Sequence, residues 1–321
     1  MPGHFLRKKV CKMDFLVVFQ QMLALFAMIF IGYYVYRVHW VTQDTADRLS
    51  KILVNIFNPA LLINGVLNPG EEIDGTLLLE NLVYVFLYFA LLIVISIPLV
   101  KLLRVGADEN RYQLMFLFSN VGFMGIPVMR SIFGNSCIIF ITFYILMYNI
   151  LIYTLGILLA QKGIPKEQRK SAWNSMLNPG VFAAILAIVI FLLKPEIPEG
   201  AVTFFDYVGN AVIPLSMMII GISIAQMPLK AIFCNGKLYI FSVIKLLVVP
   251  IVCVILLNRF AQTQMLFSIF ILMLAMPTGS IVVMIAREYG GKIDREDICS
   301  KGILLTTLMS MLTIPIVTLF L

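Results

Sequence analysis

The chain has 321 residues, of which 61% are hydrophobic and only 13% charged, and its mean hydropathy is +0.98. A soluble domain is about one-half apolar and about one-quarter charged, so this composition excludes a water-soluble globule. The net charge of +7 lies in short segments between apolar runs, where it orients a membrane chain; a nucleic-acid partner is not expected.

Ten candidate membrane spans follow in chain order: 14–36, 48–67, 77–103, 111–133, 136–161, 178–194, 204–226, 237–257, 265–287 and 298–321. Each is about the length that crosses a hydrocarbon core of ~30 Å. A basic tail, 1–13, precedes them, and the basic linker 162–177 divides them into halves, 14–161 and 178–321. One set of alternate loops carries Arg37, Arg48, Lys51, Lys101, Arg104, Arg111, Lys162, Lys166, Arg169, Lys170, Lys230, Lys237, Arg287, Lys292, Arg295 and Lys301. The other side has Arg130, Lys194, Arg259 and the tail's Arg7, Lys8, Lys9 and Lys12. This asymmetry predicts a multi-pass protein of the cell membrane with both termini extracytoplasmic. The tail opposes that orientation, and Met13 is an alternative start; the first apolar run is too long for a cleaved signal peptide.

The two halves repeat a pattern. Asn55-Ile-Phe-Asn-Pro59 in the second span matches Asn210-Ala-Val-Ile-Pro214 in the seventh. Gly125-Ile-Pro127 in the fourth has its counterpart in Pro277-Thr-Gly279 in the ninth, and Pro98 in the third in Pro250 in the eighth. Five spans per half insert the second copy upside down, an architecture of secondary transporters whose sites lie at broken helices near the midplane. Proline removes a backbone donor and clashes with the preceding turn, and freed peptide groups must line a protein-enclosed or wet cavity. The predicted fold is therefore an all-α integral membrane protein of ten helices in two inverted five-helix repeats, with helices 4 and 9 broken. Around the breaks stand Ser119, Asn120, Gly122, Gly125, Thr278, Gly279 and Ser280. A half-helix N-terminus there suits a carboxylate.

These residues resemble the auxin efflux carrier family, which includes plant PIN exporters and bacterial organic-acid permeases. The resemblance rests on Asn120 through Met124-Gly125-Ile126-Pro127, on Pro277-Thr-Gly279-Ser-Ile-Val282 followed by Ala286-Arg287-Glu288-Tyr289, on Lys245-Leu-Leu-Val-Val-Pro250, and on Phe57-Asn-Pro59-Ala-Leu61. It implies a scaffold domain and a substrate-carrying domain with two crossing broken helices, the fold of bile-acid sodium symporters, and an elevator-like movement of an anionic substrate. It further implies that Asn120 holds a substrate carboxylate with Asn149 as a second ligand, that Pro127 and Pro277 mark the crossing, and that Glu80 supports the site. Asn58, and Thr278 where plant members often carry Gln, favour the bacterial organic-acid branch over auxin, and the short 162–177 linker implies no plant-type phosphoregulation.

Lys245 lies inside a span, where a cation is costly and often functional. Arg130 stands just beyond the fourth-span break, and Asp206 and Glu80 near span ends; Asn55 and Asn210 are read as bonding backbone freed by the prolines. Five scattered cysteines and the separated His4 and His39 make no metal motif. No HExxH, GxSxG or GxxxxGK[ST] occurs, so neither an enzyme nor an ATP-driven pump is expected, and no cofactor, while coupling to H+ or Na+ stays open. Asn58-Pro59-Ala60 spells the aquaporin signature and Asn178-Pro179-Gly180 follows it, but the first lies inside a full-length span and the second merely opens the sixth, whereas aquaporins place both at short half-helices; a water or small-solute channel is the alternative to a carrier. The expected partners are a small organic anion and the lipid bilayer, with a homodimer among the assemblies the sequence allows.

Overall fold

The computed structural model describes residues 15–67, 75–162, 164–165, 179–226, 235–289 and 296–321. The basic tail, most of the linker, Asn178 and the loop charges Lys230, Lys292 and Arg295 lie outside the described residues. Helix α1 runs Phe15–Arg37, α2 Gln43–Ile52, α3 Asn58–Leu67, α4 Gly75–Leu103, α5 Glu109–Leu117, α6 Ile126–Phe133, α7 Ile138–Leu151 and α8 Ile157–Ala160. After the linker come α9 Pro179–Leu193, α10 Glu199–Asn210, α11 Val212–Ala225, α12 Gly236–Val243, α13 Val249–Leu257, α14 Gln264–Leu274, α15 Ile281–Tyr289 and α16 Glu296–Thr318. Among the described residues there is no strand, only an isolated bridge between Ser119 and Thr278.

Several of these helices join end to end. Seven continuous stretches are long and apolar enough to cross a membrane: Phe15–Arg37, Gln43–Leu67, Gly75–Leu103, Asn135–Ala160, Glu199–Ala225, Gly236–Phe260 and Ile298–Thr318. Three shorter apolar helices, Val121–Phe133, Pro179–Leu193 and Gln264–Leu274, fall on the predicted fourth, sixth and ninth spans. Two of them are short because their spans are interrupted, at 118–120 and at 275–280.

Proline sets the local geometry. Three π-helical turns, Leu53–Phe57, Val121–Gly125 and Ile244–Val248, each end one residue before a helix whose second residue is proline: Pro59, Pro127 and Pro250. A proline ring clashes with the carbonyl four residues earlier, and one wider turn moves that carbonyl aside without unwinding the helix. The three wide turns close through Asn58 N to Leu53 O, Ile126 N to Val121 O, and Val249 N to Ile244 O. Pro98, paired with Pro250 in sequence, sits instead within the uninterrupted α4. Pro214 follows a bend at Ala211 that separates α10 from α11.

The surface is apolar as well as the core. On α4, Leu79, Val83, Phe86, Val94 and Ile97 are exposed along one stripe, while Asn81, Val85, Tyr88, Leu92 and Ser96 are buried on another. The spacing is helical, and the exposed stripe is the one that faces lipid. Packing groups the helices into two sets: α1, α3, α9, α10 and α11 lie chiefly against one another, and α4, α5, α12, α14 and α16 surround the two breaks, with α7 touching both.

The tightest helix pair is α1 with α11. A Cβ on Gly32 would strike the Met218 backbone, and one on Gly221 would strike the Ile29 carbonyl. Small residues let membrane helices approach to backbone contact, where van der Waals packing holds them. Gly221→Ala is expected to lower the thermal unfolding midpoint of the purified protein by several degrees, from overpacking on the order of 1–3 kcal/mol. Gly200→Ala, whose Cβ meets nothing within 4 Å, serves as the control and is expected to leave the midpoint in place.

Candidate binding site at the crossing of two interrupted helices

At the end of α5, Phe118 leaves helical geometry (φ −108°, ψ 85°), and Asn120 follows with φ −80° and ψ 64°. In the second half α14 stops at Leu274, before Pro277, which has no N–H and biases the residue before it away from helix. The two bared segments satisfy each other. Asn120 N donates to the Pro277 carbonyl at 2.7 Å, and Gly279 N donates to the Phe118 carbonyl at 2.9 Å. This is a two-bond antiparallel pairing about Ser119 and Thr278. Gly279 permits the approach, since a Cβ there would lie 3.1 Å from both the Ser119 carbonyl and the Tyr148 hydroxyl.

Asn120 also starts the next half-helix. Its Oδ1 accepts from Phe123 N at 3.2 Å, and its carbonyl accepts from Gly125 N at 2.8 Å. The side chain thereby caps the helix it interrupts. On the other strand Thr278 N donates to Thr306 Oγ1 at 3.1 Å, and Thr278 Oγ1 donates to the Met115 carbonyl at 3.1 Å. Thr306 Oγ1 in turn donates to the Gly302 carbonyl at 2.6 Å.

Beneath the pairing lies Lys245, only 1% exposed. Its ammonium donates to the Phe116 carbonyl and to Ser119 Oγ, both at 2.8 Å, and stands 5.4 Å from the centre of the Phe116 ring. Phe116 is in the last turn of α5, whose carbonyls lack in-helix donors and carry the negative end of the helix dipole. A helix end, a hydroxyl and a ring face thus hold this cation, and no carboxylate pairs with it among the described residues. Lys245 reaches this place from the wide turn that Pro250 imposes.

What remains open at the crossing is a set of donors. The amides of Gly122, Ser280 and Ile281 have no protein acceptor among the described residues. A Cβ at Gly122 would meet no atom within 4 Å, and Ser280 is exposed. Asn120 Nδ2 makes no hydrogen bond among the described residues, although its side chain is nearly enclosed at 7% exposure. Two half-helix N-termini therefore point bare N–H groups at the crossing, with an unneutralised ammonium behind them. Such an arrangement can hold an anion with planar acceptors.

Of the sequence-predicted residues, Ser119, Asn120, Gly125, Pro127, Pro277, Thr278, Gly279, Ser280 and Lys245 gather at or beside the crossing. A Cβ at Gly125 would lie 3.4 Å from the Asn120 carbonyl and the Met273 sulfur. Four others do not join them. Glu80 accepts from Thr263 N at 2.9 Å and Thr263 Oγ1 at 2.7 Å. It caps the start of α14, about 16 Å of helix from the break. Asn149 is half-buried and donates to the Ile145 carbonyl of its own helix at 2.8 Å; its neighbour Tyr148, not Asn149, touches Gly279. Asn55 is exposed and donates to the Lys51 carbonyl at 2.8 Å. That carbonyl is not the one Pro59 strands, which belongs to Asn55 itself. The Asn210 side chain accepts from Arg130 Nη2 at 2.5 Å and bonds no backbone among the described residues.

The sequence reading missed Tyr88, Tyr148 and Thr306. Tyr88 is fully buried with its hydroxyl 3.5 Å from the Met273 carbonyl, and Tyr148 stacks edge-on against Phe118 with ring centres 5.6 Å apart. Aromatics are common in every span and carry no signal of their own. Thr306 did carry one: Thr306, Ser310 and Thr313 place hydroxyls at i, i+4 and i+7 of an apolar helix, all buried, a polar stripe that must face protein.

A family model described as "Membrane transport protein" matches residues 17–318. A Rhizobium meliloti (strain 1021) protein named "Putative malonate transporter" is 23% identical over 301 residues, 91% of this chain and 92% of its own length. The "Uncharacterized transporter MJ1031" of Methanocaldococcus jannaschii is 23% identical over 298 residues, 90% of this chain and 94% of its own. The "Uncharacterized transporter YfdV" of Escherichia coli (strain K12) is 22% identical over 214 residues, 64% and 68% of the two chains. With the family model spanning nearly the whole sequence and its apolar helices in place, the chain belongs to the auxin efflux carrier-like family of membrane transport proteins.

Proposed function

We propose that this protein is a secondary carrier for small organic anions, short carboxylates foremost, built as ten spans in two inverted five-helix repeats. The observation that carries the reading is the pairing of 118–120 with 277–279, which leaves the Gly122, Ser280 and Ile281 amides and Asn120 Nδ2 without partners among the described residues. A substrate carboxylate accepts from these donors, and Lys245 behind them favours an anion over a neutral solute. The name of the Rhizobium relative points the same way, to a short dicarboxylate. Transport is by elevator-type alternating access: the helices around the crossing move as a body against α1, α3, α9, α10 and α11. The driving force is a solute gradient or the membrane potential.

The test is counterflow of labelled malonate and malate in proteoliposomes containing the full chain. The carrier reading expects saturable exchange; a flux that rises linearly with concentration and shows no counterflow would replace it with a channel. Asn120→Asp keeps the acceptor that caps Phe123 N but puts an oxyanion where the Nδ2 donor stood. It is expected to leave the thermal unfolding midpoint nearly unchanged and to cut exchange at least tenfold, a loss of about 1.4 kcal/mol of binding; exchange at the wild-type rate would remove Asn120 from the site.

Lys245→Met tests the charge. It strands the Phe116 carbonyl and Ser119 Oγ, at about 1–3 kcal/mol for such a buried group, so a lower unfolding midpoint is expected together with loss of the malonate-induced thermal shift. Retention of that shift in folded protein would show that the ammonium is structural only.

A further inference from the structure

Arg130 stands at the far end of α6 from the crossing, and the mechanism above gives it no part. Its guanidinium leaves the helix to meet two neutral amides: Nε donates to Asn135 Oδ1 at 2.7 Å and Nη2 to Asn210 Oδ1 at 2.5 Å. Nη1 is buried with no acceptor among the described residues. The ion pairs among the described residues, Arg48 with Asp44 and Arg111 with Asp108, do not include it. Leaving a charged donor buried and unbonded is unfavourable, so the present arrangement does not satisfy Arg130.

A better acceptor lies one step away. Asp206 lies on the same helix as Asn210, and its Oδ1 accepts from Asn64 Nδ2 at 3.2 Å. Asp206 and Asn210 are four residues apart on α10, hence on one face and one turn, about 6 Å, from each other. Helix α10 packs on α3, and Gly209 lies against Leu61 and Asn64 of that helix. Arg130, in contrast, rides on the half-helix that leaves the crossing. A cation on this half-helix thus meets Asn210 on α10, and Asp206 lies a single helical turn further along the same helix.

We propose that Arg130, Asn210 and Asp206 form a two-position latch between the bodies. In the position seen here Arg130 holds Asn210 while Asn64 holds Asp206. A one-turn displacement of α6 toward the start of α10 hands Arg130 to Asp206, which gives up Asn64. The exchange is balanced: a charge-assisted pair forms, and the Asn210 and Asn64 contacts to these residues are released. One-turn shifts between discrete packings are an established mode of conformational change. The latch rests on the carrier reading, which supplies the relative movement.

Asn210→Asp places a carboxylate at the position already occupied and is expected to trap it. Malonate counterflow by the full chain in proteoliposomes should fall about tenfold, while the malonate-induced thermal shift persists. Adding Arg130→Gln to that variant should restore exchange to the rate of Arg130→Gln alone. Wild-type exchange in Asn210→Asp, or a double variant as slow as Asn210→Asp, overturns the latch and leaves the carrier reading standing. Absence of saturable exchange in the wild-type chain overturns the carrier reading instead. The latch is then decided without substrate, in a chain with its five cysteines replaced by serine. Cysteine pairs at 130/210 and 130/206 should both be joined by the same short bis-thiol reagent; a 130/206 pair that stays unjoined while 130/210 links overturns it.

Discussion

A peptide group inside a bilayer has no water to fall back on, and the structure around residues 118–120 and 277–279 follows from that constraint. Each span gives up helical bonds at its break, and the two breaks repair each other with two backbone bonds of 2.7 and 2.9 Å. Neither interruption is tenable alone, because lipid-exposed N–H and C=O groups are each several kcal/mol unfavourable. The pairing therefore forces the two halves of the chain to meet at one point. It also accounts for the neighbours: Gly279 without a side chain where Tyr148 and Ser119 close in, and Thr306 and Lys245 bonding what the pairing leaves over.

Charge follows the same logic. Lys245 is stable in the interior because the end of α5 presents carbonyls with no donors of their own and the Phe116 ring offers its face. The interruption that creates bare amides on one side thus creates bare carbonyls on the other, and the lysine answers the second set while the first stays open. Arg130 is solved differently. It lies where two groups of helices touch and is met by neutral amides, with Asp206 engaged elsewhere. One cation is held by a carbonyl, a hydroxyl and a ring face at the centre of its body, and the other is met by neutral amides at a boundary.

Much of the crossing was readable from sequence because its signals are covalent. Pro127 and Pro277 cannot donate, and Gly125 and Gly279 stand beside them with the small polar residues Ser119, Asn120, Thr278 and Ser280 in spans that are apolar elsewhere. Lys245 stood out because a charge in an apolar run demands a reason. The misplaced residues failed for one cause: a polar side chain in a helix has several ways to be satisfied, and its own preceding turn is one. Asn55 and Asn149 each bond a carbonyl four residues back, and Glu80 was as near a helix start across the chain, at Thr263, as any site. Matched proline spacing misled in one pair, since Pro250 follows a wide turn while Pro98 lies in an unbroken α4.

The sequence by itself determined the apolar spans, the places where helix bonds must fail, and the residue types able to make those places habitable. These are properties of local covalent chemistry and of length against bilayer thickness, so they need no partner to be read. Only the tertiary structure decided which break bonds which, that Lys245 answers α5 rather than an acid, and that Arg130 meets Asn210. Those outcomes join residues some 80 to 160 positions distant, and no local preference encodes them: they are choices among alternative partners, settled by which surfaces the packing brings within hydrogen-bond reach.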